Sequence, residues 1–530
     1  AEEEERAHAG EAVDPAREWG SYAASMLLFV LAMLSKSSAF AMPLVMMLLL
    51  WWKRRLSGRQ VILLSPFVVI GTALALSAMD FERDTASTAG AGWDWSIAQR
   101  AIIAGQAVWF YVGKLLVPTR LSFMYPKWAI DPANVMQYLP AAAAVVTIIW
   151  LLVVQRRFGR GPIVAVLAFV LCLLPALGFV NIAPMRFTFV ADHYAYLATV
   201  PLITLIVAAA VKALRRARAA SAPPGPAIAL AAILLVALGA TSWVRAHVFI
   251  SDLNLWADTV SKNPGSWFAH DRYGSALGVQ SAVDQRIGDT DAYEAHLTEA
   301  MKQAKAAAEL NPKDGEAQWI IGRVLIERRD YPAAVDHLRQ ATQLDPKLSG
   351  AWQDLAATLV KQQHWQEAIE ACDAALRVQP QSSPTHRLMA EAYAGLNNLQ
   401  RAIGENREAL KIKPDNIVAR ENLADLLART NQDKEAKLQY TSVLQQDHSR
   451  PEVWNKLGVL YARGGDMGMA VQMFKAATQI QPDYQEANDN LKMAVSALEK
   501  QRQATAATRG SATQPGATTM PAGPTTGAAQ

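Results

Sequence analysis

A chain of 530 residues that is 52% hydrophobic, 18% charged and only +4 at neutral pH carries too little and too scattered a charge to suggest nucleic-acid binding. Its two cysteines, Cys172 in an apolar run and Cys372 in a charged stretch, make a disulfide framework a poor reading. The averages hide a division near Trp243: long apolar runs precede it, and charged, Ala-rich sequence follows.

Residues 1–20 are polar, begin at Ala1 rather than Met, and include Glu2 to Glu5; a longer native chain stays open. Ser21 to Trp52 is one apolar stretch interrupted at Ser35-Lys36-Ser37. At about 1.5 Å per residue it is too long for one straight membrane span, so a tight pair of short helices with Lys36 at the turn is expected, with one long broken helix as the alternative. Runs at 60–79, 133–154, 161–180, 194–211 and 225–243 are long enough to cross a bilayer. The segment 97–117 carries Arg100, Gln106 and Lys114, which suits an interfacial or re-entrant helix.

Three basic clusters set the orientation: Lys53, Arg54, Arg55 and Arg59; Arg156, Arg157 and Arg160; Lys212, Arg215, Arg216 and Arg218. The positive-inside rule puts all three in the cytoplasm. That parity holds only if 97–117 does not cross. The loops 80–96, 118–132 and 181–193, and everything after Trp243, then face outside. Residues 21–243 are thus expected to be a polytopic transmembrane bundle, in an integral multi-pass protein of a bacterial inner membrane.

Residues 244–500 keep a different period. Pro312, Pro346, Pro380, Pro414 and Pro482 step by 34, 34, 34 and 68, with His448 at the skipped place. A 34-residue beat is the tetratricopeptide signature. Trp352, Leu355, Ala356, Leu359, Ala368, Ala375 and Pro380 show the pattern; Trp454, Leu457, Gly458, Tyr461, Ala470, Phe474, Ala477 and Pro482 repeat it. Small residues such as Gly322, Ala334 and Ala341 fall where paired helices approach. Large ones fill the space between pairs, and proline ends each second helix. The first repeat opens at Trp267 and carries an insertion around Ser281 to Asp291. Asp252 to Pro264 reads as a lone second helix, and Asp483 to Lys500 as a polar cap. The fold class is all-α: a membrane bundle followed by an α-solenoid of six repeats. The 501–530 tail of Ala, Thr, Gly and Pro is expected to be disordered.

Counting along the first helix of each repeat lines a groove with Trp319, Arg323, Gln353, Lys361, Arg387, Glu391, Glu421, Asp425, Arg429, Asn455 and Arg463. Bases dominate early and acids in the middle, which fits an extended protein or peptide client of mixed charge; the plain alternative is a solvated concave face. His270, His337, His364 and His386 lack metal-ligand spacing. No Gly-rich phosphate loop, nucleophile elbow or paired-His motif occurs, so no metal or cofactor is expected.

Three phrases of the membrane half point to a family: Leu34-Ser35-Lys36 before an apolar run with Pro43; Trp109-Phe110-Tyr111 running to Leu115-Leu116-Val117-Pro118; and Val190-Ala191-Asp192-His193-Tyr194-Ala195-Tyr196. Their order, followed by tetratricopeptide repeats over about residues 20–500, resembles bacterial membrane proteins related to TMTC-type O-mannosyltransferases. The resemblance implies a GT-C glycosyltransferase, a polyprenyl-phosphate sugar donor and chemistry outside the cytoplasm. Such enzymes carry a key acidic residue in the first extracytoplasmic loop. That loop has no counterpart here, so no residue inherits the catalytic role, and a non-catalytic membrane-tethered scaffold is the alternative. Under the resemblance, Asp192, His193 and Tyr194, near Arg186, are candidates for contact with a sugar or phosphate; an interfacial cap with an aromatic anchor is the competing reading. Lys36, ionisable between apolar runs, is a candidate for a lipid phosphate, against simple snorkelling to the interface. Asp80, Glu82 and Asp84 follow a span on the outer side and read as a solvated loop, with an acidic site as the alternative.

Overall fold

The computed structural model describes residues 15–85, 95–219 and 225–511. Among them every regular element is helical. The chain forms two compact units, Ala1–Pro312 and Lys313–Gln530. The first unit therefore includes the opening repeat as well as the membrane half.

In the first unit, α1 (Pro15–Ser35) stops at Lys36, whose extended backbone (φ −154°) leads through a short 3₁₀ turn into α2 (Met42–Trp52). This is the broken pair expected from the sequence. Next come α3 (Gly58–Thr85), α4 (Ile97–Leu116), α5 (Leu139–Phe158), α6 (Gly161–Leu173), α7 (Tyr196–Ala219) and α8 (Gly225–Val248). Among the described residues, four stretches are long and apolar enough to cross a membrane: Gly58–Phe81, Val135–Phe158, Asp192–Arg216 and Gly225–Val248. The run 161–180, expected as a fifth span, is shorter. Its α-helix ends at Leu173 and one 3₁₀ turn carries it to Ala176, because Pro175 has no amide hydrogen to continue the ladder.

The helix α4 is held at its start by a capping box between Ser96 and Gln99. One face, with Ile102, Ile103, Ala107 and Tyr111, is fully buried. Its contacts fall on one end of each neighbour. Arg100 donates to Gly178 O (2.6 Å) and Asn181 Oδ1 (2.9 Å), beyond the C-terminal end of α6. Trp109 Nε1 donates to Pro140 O (2.8 Å) in the first turn of α5. Tyr111 OH bonds Ala191 just before α7. A helix parallel to the bundle would run the length of its partners; this one lies across their ends. Gly105 permits the crossing, since a Cβ there would sit 2.4 Å from Ala141 N.

The three basic clusters meet at the opposite end. Arg160 donates to Trp51 O (2.8 Å) and covers the Trp51 ring. Trp52, beside Lys53, packs against Gly161. Phe158, Gly159 and Lys212 line the same groove as Trp52.

The unit closes with α9 (Asp252–Lys262), α10 (Trp267–Ile287) and α11 (Thr290–Leu310). These dock on the loop end, not the basic end. Phe187 stacks on Phe268 (4.0 Å) and meets Trp267 (5.5 Å), Phe123 meets Trp256 (5.4 Å), and Lys262 Nζ donates to Leu121 O (2.7 Å). The insertion in this first repeat lengthens both of its helices instead of forming a loop: each has 21 residues.

The second unit holds five helix pairs: α12 (Gly315–Glu327) with α13 (Tyr331–Leu344), α14 (Ser349–Lys361) with α15 (Trp365–Val378), α16 (Ser383–Gly395) with α17 (Leu399–Ile412), α18 (Ile417–Arg429) with α19 (Asp433–Gln446), and α20 (Pro451–Arg463) with α21 (Met467–Ile480). Each proline acts one residue early. The residue before proline disfavours the α region, and Asp345, Gln379, Lys413 and Gln481 all have φ near −130°. Asp447 takes the same shape (φ −145°) before His448, so packing holds the turn even without the proline. A second 34-residue beat appears in the turn inside each pair: Arg329, Gln363, Asn397, Asn431 and Gly465 all have positive φ. The close approaches predicted for small residues are present; a Cβ on Gly322 would meet Leu338 at 2.7 Å. The last helix, α22 (Gln485–Ser511), runs past the expected cap end at Lys500 and into the segment expected to be disordered. Its extension is Ala-rich, and alanine is the best helix former. The tail beyond Ser511 lies outside the described residues.

Candidate functional sites

At the loop end of the first unit, the three family-like phrases converge. Tyr111, from the second phrase, bonds both the N–H and the carbonyl of Ala191 in the third. Tyr125 OH donates to Asp192 Oδ1 at 2.7 Å. Lys114 Nζ donates to Thr119 O (2.6 Å) and lies over the rings of Phe110 and Tyr125. Lys36, from the first phrase, is near enough to His193 to act on its charge. Burial pushes the Tyr125 phenol up, and its bond to Asp192 pushes it further. Burial pulls the Lys114 ammonium below its ordinary value. The cluster thus offers an exposed imidazole, a carboxylate, a phenol and two ammonium groups, a set able to hold a phosphate or polar headgroup through charge-assisted hydrogen bonds.

The other residues of this candidate set are placed differently. Arg186 covers Trp267 and Phe187, and so serves the junction with the first repeat. Tyr194 is half-buried against the His193 ring. Asp80, Glu82 and Asp84 fall in the last turns of α3 and not in a loop; Asp80 is exposed, and the side chains of Glu82 and Asp84 lie outside the described residues. Tyr125 and Lys114 were missed as site members. Tyr125 lies 67 positions from Asp192, and nothing local marks the pairing.

In the second unit, the predicted groove positions are heavily used by one another and by neighbours. Trp319 Nε1 donates to Asp354 Oδ2 (2.7 Å), and Arg323 lies near the same oxygen (3.9 Å) and over the Trp319 ring. Burial pushes the Asp354 carboxyl up, opposed by the Trp319 hydrogen bond and the Arg323 charge. Gln353 accepts from Thr385 (3.5 Å), Lys361 sits over Tyr331, and Arg387 pairs with Glu391 (3.2 Å). Glu421 is held by Arg450 (2.8 Å) and Lys456 (3.2 Å). Asp425 takes Lys456 (2.8 Å) and the hydroxyl of Tyr440 (2.5 Å). Burial pulls the Lys456 ammonium down, but Asp425 and Glu421 more than reverse it, so its net shift is upward. Asn455 is buried and spent on Tyr484, Glu486 and Asn490. Arg463 bonds Asp433 and Ala428 O.

One hollow remains. A cavity of about 330 Å³ is lined by Arg387, Glu391, Asn406, Asn422, Asp425 and Arg429, with apolar neighbours. Arg429 is exposed there. Asn406 is 1% exposed and its Oδ1 has no hydrogen-bond partner. The predicted acids of this region are already neutralised, leaving a cation and amide groups to meet a ligand. Asp354, Asn406, Asn422 and Lys456 were not foreseen, because their roles depend on contacts between successive repeats.

Tetratricopeptide-repeat models match residues 286–349, 325–392 and 451–484. The chain therefore carries tetratricopeptide repeats, modules of protein–protein interaction. Solved structures with this likeness include YrrB, a repeat protein with an unusual peptide-binding site (22% identity, 36% of this chain and 97% of that one, TM-score 0.33). MamA from Desulfovibrio magneticus RS-1 is also similar (22% identity, 33% and 96% covered, TM-score 0.29), as is yeast Tom70 (15% identity, 47% and 58% covered, TM-score 0.33). No curated protein matches the chain.

Proposed function

We propose that this protein is a membrane-anchored tetratricopeptide adaptor that holds an extended segment of a client protein in its groove, outside the cytoplasm. The gathering of three basic clusters at one end of the membrane half, with the loops and the first repeat at the other, carries this reading. The positive-inside rule makes the basic end cytoplasmic and the repeat end extracytoplasmic, in a bacterial inner membrane. Arg429, exposed in the hollow, favours a client segment that presents a carboxylate, while the unpartnered Oδ1 of Asn406 calls for a donor such as a client backbone N–H.

A second reading keeps the same client and adds chemistry. The membrane half would act as part of a GT-C-like glycosyltransferase, presenting a polyprenyl-phosphate sugar beside the client. Its support is the convergence of Lys36, Lys114, Asp192 and His193 at the loop end. Without a catalytic acid the same cluster serves a non-catalytic scaffold. The first test is selection of displayed peptides on the full chain in detergent. Acidic peptides should be enriched, and Arg429→Glu should abolish their capture while leaving the thermal unfolding curve unchanged. Equal capture by the variant would refute the groove assignment.

A further inference from the structure

The basic end holds a second site that the client-binding reading does not use. A groove of about 650 Å³ opens among α2, α5, α6 and α7. Its walls are apolar: Val45, Leu49, Trp150, Val154, Val200 and Leu205 among them. At one end stand Trp52, Phe158, Gly159 and Lys212. Lys212 is the only charged residue in the lining, and its side chain is exposed. Around that mouth are Lys53, over the Trp52 ring, and Arg160, tied to Trp51.

The segments that build this end contain nothing to balance those charges. No Asp or Glu occurs from residue 19 to 79, from 133 to 191, or from 193 to 251. A long apolar slot with a one-sign cationic mouth is complementary to one kind of molecule, an anion with a hydrocarbon tail. At roughly 30 Å³ per water-sized group the slot takes a chain of about twenty such groups, the scale of a single acyl tail. A bare anion would leave the slot empty, and a neutral lipid would leave the cations unmatched.

We propose that this groove is a binding site for an anionic phospholipid, with one acyl chain along α5, α6 and α7 and the phosphate at Lys212 and Lys53. The site sits at the opposite end from Lys36 and His193 and is independent of any sugar donor there. The bound lipid closes a gap between helices that the protein's own side chains leave open. It ties retention of the protein to anionic membranes.

The test is native mass spectrometry of the full chain in detergent, with equal amounts of phosphatidylglycerol and phosphatidylcholine added. Wild type should retain one phosphatidylglycerol in preference to phosphatidylcholine. Lys212→Gln should reduce that preference about fivefold, the weight of roughly one cation near an anionic lipid. Ala165→Trp, which fills the slot, should remove the adducts of both lipids. Arg120→Gln, at the loop end, should change nothing. Excess inorganic phosphate should not displace the lipid. Equal retention of the two lipids, an unchanged preference in Lys212→Gln, or displacement by phosphate would overturn the proposal. Because Lys212 is exposed, that variant decides the matter even if Ala165→Trp fails to fold.

Discussion

Replacing Gly105 with alanine tests whether α4 lies across the ends of its neighbours. The new Cβ would sit 2.4 Å from Ala141 N, 2.6 Å from its Cα and 2.7 Å from its Cβ. These atoms belong to the first turn of α5, so no side-chain rotation relieves the clash; the helices must separate by about 1 Å to reach ordinary contact. Over-packing of this kind costs about 1–3 kcal/mol. Gly113, two turns on in α4, is the control. A Cβ there meets nothing within 4 Å, and alanine gains about 0.5–1 kcal/mol of helix propensity. Cys172 reports locally, since it packs against the cluster built on Ala104, Ala107 and Tyr111. With Cys372 replaced by alanine, thiol alkylation of the native protein follows opening of this region. Gly105→Ala should speed labelling of Cys172 about 5- to 150-fold, with 1.4 kcal/mol corresponding to tenfold. Gly113→Ala should leave it equal or slower. Equal rates for the two variants would refute the crossing geometry.

Other expectations follow from single contacts. Arg329 and Gln363 have φ of 61° and 63°. The left-handed region costs a side chain about 1–2 kcal/mol, against roughly 0.5–1 kcal/mol of extra glycine entropy. Arg329→Gly and Gln363→Gly should therefore each raise unfolding stability by about 0.5–1 kcal/mol in chemical denaturation; a loss would show that these side chains hold the turn. The His296 hydrogen bond lowers the Asp284 carboxyl below its ordinary 3.8. A depressed carboxyl lends stability above its unfolded value and loses it as pH falls through the folded one. The wild type should lose this contribution only below about pH 3.8, and His296→Ala should flatten that acid limb; identical acid melting profiles would contradict the pairing. Phe187→Ala removes the stack on Phe268 and should cost about 0.5–1.5 kcal/mol beyond lost area. It would be seen as faster proteolysis within α9 and α10, and unchanged protection would refute that junction.

The repeat half was legible because every repeat must bury the same faces. Its period is written in residues that cannot be exchanged freely: the prolines, the small residues at Gly322 and Gly458, and the aromatic knobs. The apolar half was legible by length, since four of its expected runs return as helices long and apolar enough to cross a membrane. The break at Lys36 and the unusual character of 97–117 both came from ionisable residues in apolar sequence. Counting apolar residues failed at 161–180, where Pro175 stops the helix before the hydrophobicity ends. Composition likewise failed at 501–511, where alanine sustains helix in a segment poor in large side chains. The sites were the least legible part. Groove position can be counted along a repeat, but neutralisation of Asp425 by Lys456 spans 31 residues and depends on how adjacent repeats pack. The same holds for Asp354 beneath Trp319, 35 residues away.

The most direct test of the whole account is sidedness. In a chain lacking Cys172 and Cys372, single cysteines at Ser57, on the basic end, and at Asp291, in the first repeat, are both exposed positions. A membrane-impermeant thiol reagent added to intact cells should label Asp291→Cys and not Ser57→Cys, with the reverse pattern in inside-out vesicles. Labelling of both positions from the same side would contradict the arrangement on which the client-binding function rests.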